Sequence, residues 1–287
     1  MSEKIIIASD STTDLGPELI ARYNVQILPL GVALGDKQYT DGVDIDPDFI
    51  YRHYETSGQL PKTSAINLAA ASSFFEKLIA DGSTVIFFAI SSQMSSTFQN
   101  VRLAAESFDR VFVVDTKNLS TGGGLLVVKA AEMAAEGKSA EEIVSACEAA
   151  ADCVDASFVI DSLEFLHKGG RCSAVAAFGA NLLKLKPCIV VRNGKMGVSK
   201  KYRGNYAAVL QKYIAEQIGD ASDIDLSHVF VTHAGCDKEI CEACVKAVKE
   251  LAPFDEIHLT RAGCTISSHC GRNTLGVLFI RKTTLQG

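Results

Sequence analysis

Between residues 5 and 115, short runs of β-branched and aromatic residues take turns with stretches of helical pattern, and this alternation constrains the fold more than any other feature. The runs are Ile5 to Asp10, Val25 to Leu34, Thr84 to Ile90 and Arg110 to Asp115, with a helix predicted over Leu15 to Tyr23 and two more before Thr84. Strands alternating with helices imply βαβ units and a mainly parallel sheet flanked by helices. Asp46-Pro47 reads as an N-cap with proline at the first helical position, and Ser139 with Glu142 has the capping-box spacing.

The second half has a different grammar. Pro187 to Val191 and Lys195 to Lys200, joined through Asn193-Gly194, spell a hairpin with a primed turn. Strands are predicted at His228 to Thr232, Glu256 to Leu259 and Val277 to Arg281, with a helix over Lys238 to Leu251. The expected fold is α/β in two domains. Residues 1–165 form a parallel α/β domain with hydroxyl-rich loops, and 166–287 form an α+β domain with a mixed or antiparallel sheet. No internal repeat relates them.

Composition excludes several function classes. A net charge of −6 in 287 residues offers no basic field for a phosphate backbone, so nucleic acid is not an expected partner. No apolar run approaches the roughly 20 residues of a membrane helix. The opening Met1-Ser2-Glu3-Lys4 leads straight into a strand rather than a secretory signal, so the chain is expected in the cytoplasm without stable membrane insertion. Its nine cysteines are then expected as reduced thiols.

Ligands of open parallel sheets bind beyond the carboxyl ends of the strands. Those ends are rich in hydroxyls here: Ser9 through Asp14, Ser91 through Thr97, Asp115-Thr116, and Thr63-Ser64 ahead of a helix. Hydroxyls and free amides at helix starts suit a carboxylate or phosphate, although each such motif taken singly is also an ordinary helix cap. The loops after the strands carry no histidine to activate a nucleophile, and no G-x-S-x-G elbow is present. A serine hydrolase would need Ser95 to meet His269, which is expected in a loop between two late strands. Gly122-Gly123-Gly124 lacks both dinucleotide and P-loop spacing and reads as close helix packing. Cys236, Cys241 and Cys244 imitate a metal or redox spacing, but Cys244 falls on the apolar stripe of its helix.

Taken in order, Asp10-Ser11-Thr12-Thr13-Asp14, Thr63-Ser64, Ser91 through Gln99, Asp115-Thr116, Lys168-Gly169-Gly170-Arg171, Lys186-Pro187 and Gly263 through Gly276 resemble the DegV family along essentially the whole chain. The resemblance implies a two-domain, non-enzymatic protein that encloses one long-chain fatty acid, with the site at the domain interface and no other cofactor. The tail would lie in an apolar tunnel. Some members present the acid to a separate fatty acid kinase, a role in lipid transport. Matched by motif, Thr63 and Ser95 resemble the carboxylate-binding hydroxyls, with Ser92 counted beside them and His269 in support. Arg171 and Arg203 resemble arginines that hold the head group or dock the kinase. The chain departs from the family pattern at Ala65-Ile66-Asn67, where proline is frequent, at Ser96, where glycine is usual, and in the larger polar residues of Gly271 through Gly276. A palmitate-like tail of about 16 carbons would supply on the order of 10 kcal/mol gross, so burial should dominate affinity and the hydroxyls should set orientation.

Overall fold

The run Thr84–Ala89 is buried at every position, as an apolar strand inside a covered parallel sheet must be. Around it the computed structural model describes residues 4–172 and 185–285. The first half contains β1 (Ile5–Asp10), α1 (Gly16–Arg22), β2 (Gln26–Leu28), β3 (Gly31–Leu34), β4 (Lys37–Thr40), α2 (Pro47–Ser57), β5 (Lys62–Ser64), α3 (Leu68–Ile79), β6 (Thr84–Ala89), α4 (Thr97–Ala105), β7 (Val111–Asp115), α5 (Thr121–Ala135) and α6 (Ala140–Ala151). There follow β8 (Val154–Ile160), α7 (Glu164–Gly169), β9 (Lys186–Arg192), β10 (Lys195–Tyr202), α8 (Tyr206–Ile218), β11 (Ile224–Ala234), α9 (Lys238–Leu251), β12 (Glu256–Arg261), α10 (Cys264–Cys270) and β13 (Thr274–Arg281).

The first sheet runs β2-β1-β6-β7, all parallel, as the alternation predicts. The expected single strand from Val25 to Leu34 is instead two strands in different sheets. Pro29 has no N–H to give a ladder and interrupts the run, so β2 joins the parallel sheet while β3 starts an antiparallel sheet in the order β4-β3-β5. The sequence reading did not foresee that small sheet, which places Thr63 opposite Val32.

The second sheet is mixed, in the order β10-β9-β8-β13-β11-β12, with β11 and β12 parallel and its other pairs antiparallel. The hairpin turns where Asn-Gly requires it, with Asn193 and Gly194 at φ 50° and 76°. β8 precedes the division expected at residue 165, yet β9 and β13 pair along its two edges, so membership of the second sheet starts upstream of that division.

Helix α5 joins the halves. Buried over most of its length, it sits in an apolar cluster that includes Ile86 and Phe88 from the first sheet, Phe158 and Leu278 from the second, and its own Leu126 and Val128. The glycines at its start make the approach possible: a Cβ on Gly124 would lie 2.8 Å from the Thr13 carbonyl oxygen. Another cluster lies under α8 and α9 and contains Cys241, Cys244 and Val248 of the α9 stripe. All nine cysteines are free thiols.

Candidate functional site

Three buried carboxylates organise the place where the chain's first and last quarters meet. Asp41 accepts from Cys264 N at 2.7 Å and Thr265 N at 3.0 Å, satisfying amides at the start of α10 with a negative charge where the helix dipole favours one. It also accepts from Ser11 Oγ at 3.0 Å. Asp14 takes Gly263 N at 2.8 Å and Ser120 Oγ at 2.6 Å. A Cβ on Gly263 would fall 3.2 Å from Asp14 Oδ1 and 3.3 Å from Asp41 Oδ1, so a side chain there would crowd both anchors. Asp10 folds back on its own loop, accepting from Thr12 N at 2.9 Å, and it reaches Ile90 N at 2.7 Å. Burial pushes the Asp10 carboxyl up to about 6 against the pull of these hydrogen bonds, and burial also raises Asp14 well above the ordinary carboxylate range.

These anchors place His269. It lies on the helix α10 and not in a loop as expected, and it is largely buried. Its Nε2 lies 2.9 Å from Thr63 Oγ1 on β5. Burial, then the charge of Arg171, lowers its pKa to about 4, so the ring is neutral near pH 7. Nδ1 is buried and has no hydrogen-bond partner among the described residues. The one proton of the neutral ring therefore belongs on Nε2, because at Nδ1 it would be a buried donor without an acceptor. His269 thus donates to Thr63 Oγ1, and the Thr63 hydroxyl is left to donate elsewhere.

It faces a cavity of about 300 Å³, at the small end of ligand sites. Ser64 and Ala65 continue the wall from Thr63; Met94, Ser95 and Ser96 come from the loop after β6; Thr265, Ile266 and Cys270 come from α10; and Arg171 closes one side. Leu30, Ile90, Leu119 and Met196 supply much of the apolar lining. Ser95 Oγ lies 3.0 Å from Thr97 Oγ1 and accepts from Thr97 N at 3.2 Å, so the start of α4 fixes it. Arg171 is exposed and donates to the Gly169 carbonyl at 2.7 Å. A second, narrower apolar space shares Leu119, Ile266 and Cys270 with the cavity and continues between the sheets past Phe158, Val191 and Leu278.

Of the site residues picked from sequence, Thr63, Ser95, His269 and Arg171 meet at this cavity. Ser92 does not line it; its amide donates to Asp115 Oδ1 at 3.2 Å. Arg203 lines a separate groove with Lys200, Lys201 and Lys212. Sequence reasoning missed Thr265, whose buried Oγ1 is also without a partner among the described residues. Its spacing of four from His269 is one helical turn, a signal that exists only once 264–270 is known to be a helix. The two chemical alternatives fare differently from the cavity. Ser95 Oγ is bonded to Thr97 and His269 Nε2 to Thr63, so the nucleophile and base of a hydrolase are each engaged with another group. Cys236 Sγ is directed to the Thr274 carbonyl at 3.3 Å, and Cys244 is packed among apolar side chains.

The model of the DegV family, a family of uncharacterised proteins, matches residues 4–282. A DegV domain-containing protein of Caldanaerobacter subterraneus subsp. tengcongensis is 32% identical over 98% of this chain and 100% of its own length. Among solved structures, a fatty-acid-binding DegV family protein from Thermus thermophilus superposes with a TM-score of 0.85 at 29% identity, covering 97% of this chain and 99% of that one. A stearic-acid-binding protein from Eubacterium ventriosum gives 0.83 at 28% identity, covering 96% and 98%.

Proposed function

This chain belongs to the DegV family, and on that premise we propose that it binds one long-chain fatty acid of about palmitate length with its carboxylate at Thr63, Ser95 and Arg171. The observation that carries the reading is the His269–Thr63 hydrogen bond in a cavity that combines hydroxyls and Arg171 with apolar side chains and adjoins the apolar space between the sheets. A neutral His269 donating into Thr63 turns the threonine proton toward the ligand, and Ser95 offers a second hydroxyl. Arg171 contributes the positive charge. The tail takes the direction of the apolar space between the sheets, which must widen to accept it, since it is now only about 30 Å³.

The reading continues to a carrier in the cytoplasm that presents the acid to a separate kinase. Arg171, exposed beside the cavity, and Arg203 in its basic groove are the candidate docking charges. A carrier needs apolar volume and an anchor but no general base, and the engagement of Ser95 and His269 with other groups fits that need. No helix among the described residues is long and apolar enough to cross a membrane.

Mass spectrometry of lipid extracted from the purified protein tests the proposal. One acyl chain per molecule is expected; a protein that emerges without any and does not take up added palmitate or stearate would sink it. For the kinase step, acyl phosphate should form from ATP only when the loaded protein and the kinase are combined, and Arg203→Ala should slow it.

A further inference from the structure

Away from the cavity, side chains from α1, α5, β11 and β12 converge on a second cluster rich in histidine and carboxylate. Helix α5 begins beside the cavity residue Leu119, and Glu132 lies three turns further along it, about 16 Å by helical rise. There His228 of β11 stands opposite Glu256 of β12 in the parallel ladder, with His258 two residues on. We propose that His228, His258 and Glu256 form a binding site for one divalent ion of the zinc type.

Among the described residues, this is the group of His, Cys, Asp and Glu whose ligand atoms all fall within 4.8 Å of one another. His228 Nδ1 is 3.1 Å from His258 Nε2, and His258 Nε2 is 3.7 Å from Glu256 Oε2. Bonds of about 2.0–2.1 Å in a tetrahedron separate ligand atoms by about 3.3 Å, so both spacings need change by only a few tenths of an ångström. Two imidazole nitrogens and one carboxylate oxygen suit zinc, with water completing the shell.

The neighbouring groups prepare the ligands. His228 Nε2 donates to Glu132 Oε1 at 3.0 Å, and the Tyr23 hydroxyl donates to the same oxygen at 2.9 Å. A carboxylate acceptor puts the ring proton on Nε2 and leaves the Nδ1 lone pair facing His258, the carboxylate–histidine arrangement that orients metal ligands. His258 Nε2–H now donates to that lone pair; an ion would take that proton's place on Nε2 as the ring's single proton moves, by exchange with water, to Nδ1. Arg22 grips both oxygens of Glu256, at 2.6 and 2.7 Å. A carboxylate has about four lone-pair positions, so Glu256 keeps capacity for a cation, at an affinity lowered by the nearby guanidinium. The histidine side chains are only 10% and 11% exposed, whereas Glu132 and Glu256 are 40% and 33% exposed and give the ion its way in.

The test is titration of chelator-treated protein with Zn²⁺, and with Co²⁺ as the spectroscopic probe. One ion per chain is expected, with Co²⁺ absorbing in the visible and no sulfur-to-metal band. His258→Gln should weaken binding by at least about 100-fold. Glu132→Gln, which touches no ligand position, should weaken it about 10- to 100-fold with the stoichiometry kept. If His258→Gln fails to fold, as judged by circular dichroism, Glu256→Gln replaces it with the same expectation. The site is overturned if no saturable binding occurs, if binding survives in the ligand variant, or if Co²⁺ shows thiolate coordination, which would point to Cys236 and Cys241.

Discussion

The segments Ser9–Asp14 and Ser91–Thr97 both follow parallel strands, both are crowded with hydroxyls, and in the sequence they promise the same thing. The folded chain uses them in opposite ways. In the first, Asp10 takes Thr12, Asp41 takes Ser11, and Asp14 with Asp41 takes the amides that open α10, so the segment pins that helix in place. In the second, Asp115 takes the Ser92 amide, but no carboxylate among the described residues bonds Ser95, whose side chain borders the cavity beside Thr63. A hydroxyl-rich strand end is therefore structural when the protein supplies its own anions, and open to a ligand's anion when it does not.

The largest effect should come from breaking the first arrangement. Asp41→Ala removes the acceptor of two backbone amides and the Ser11 hydroxyl, leaving Cys264 and Thr265 as buried donors at the start of a helix. At about 1–3 kcal/mol for each unsatisfied group, a loss of about 3–5 kcal/mol is expected in denaturant unfolding, together with loss of lipid binding as His269 shifts. A change under about 1 kcal/mol would remove Asp41 from its anchoring role.

Next is the pH response of the ring those anchors hold. His269 drops from an ordinary 6.5 to about 4 on folding, so the unfolded chain binds a proton that the folded one refuses. Lipid-free protein should keep this contribution above about pH 6.5 and lose it as pH falls toward 4, on the order of 3 kcal/mol in all. Asp10 acts in the other direction: with its pKa raised from 3.8 to about 6, its stabilisation is full at acid pH and lost as pH rises through that range. The wild-type profile minus that of His269→Gln isolates the histidine. A difference that stays flat between pH 6.5 and 4 would show that the ring is not held neutral.

How much of this was legible follows from the range of the interactions. The parallel strands, the Asn193-Gly194 hairpin and the bounds of α9 are written in local periodicity and turn chemistry. The small antiparallel sheet is not, because its strands have three or four residues and one emerges only after Pro29 cuts a longer run. Helix α10 is hidden for a different reason. Its Cys, Thr, Ser and His residues are indifferent helix formers, and its cap is Asp41, 223 residues upstream of Cys264. Thr63 and Ser95 could be chosen by family resemblance, but Thr265 becomes visible as a candidate only once its unsatisfied hydroxyl is seen against the cavity.

Breaking the second arrangement should cost less than breaking the first. Thr63→Ala or Ser95→Ala removes one hydrogen bond to a charged head group, about 1.5 kcal/mol or somewhat more, so each should weaken fatty-acid binding by roughly 10-fold without abolishing it. Each change also leaves one donor without its acceptor, Thr97 N for Ser95 and His269 Nε2 for Thr63, so unfolding should lose about 1–2 kcal/mol, less than for Asp41, whose carboxylate takes two helix amides. Complete loss of binding in either variant would contradict an affinity dominated by the tail.

The smallest effect separates two serines that the motif makes look equivalent. Ser92 and Ser95 lie three residues apart in one loop, yet only Ser95 lines the cavity. Ser92 acts through its backbone, its amide donating to Asp115 and its carbonyl accepting from Gln99 Nε2 at 3.3 Å. Both contacts survive replacement of the side chain. Ser92→Ala should therefore leave fatty-acid affinity within about twofold of wild type, near the limit of a fluorescence competition assay, while Ser95→Ala shifts it clearly. Equal losses in the two variants would mean that the loop turns over when lipid enters and brings Ser92 to the head group, and the division between a closed strand end and an open one would then have to include that movement.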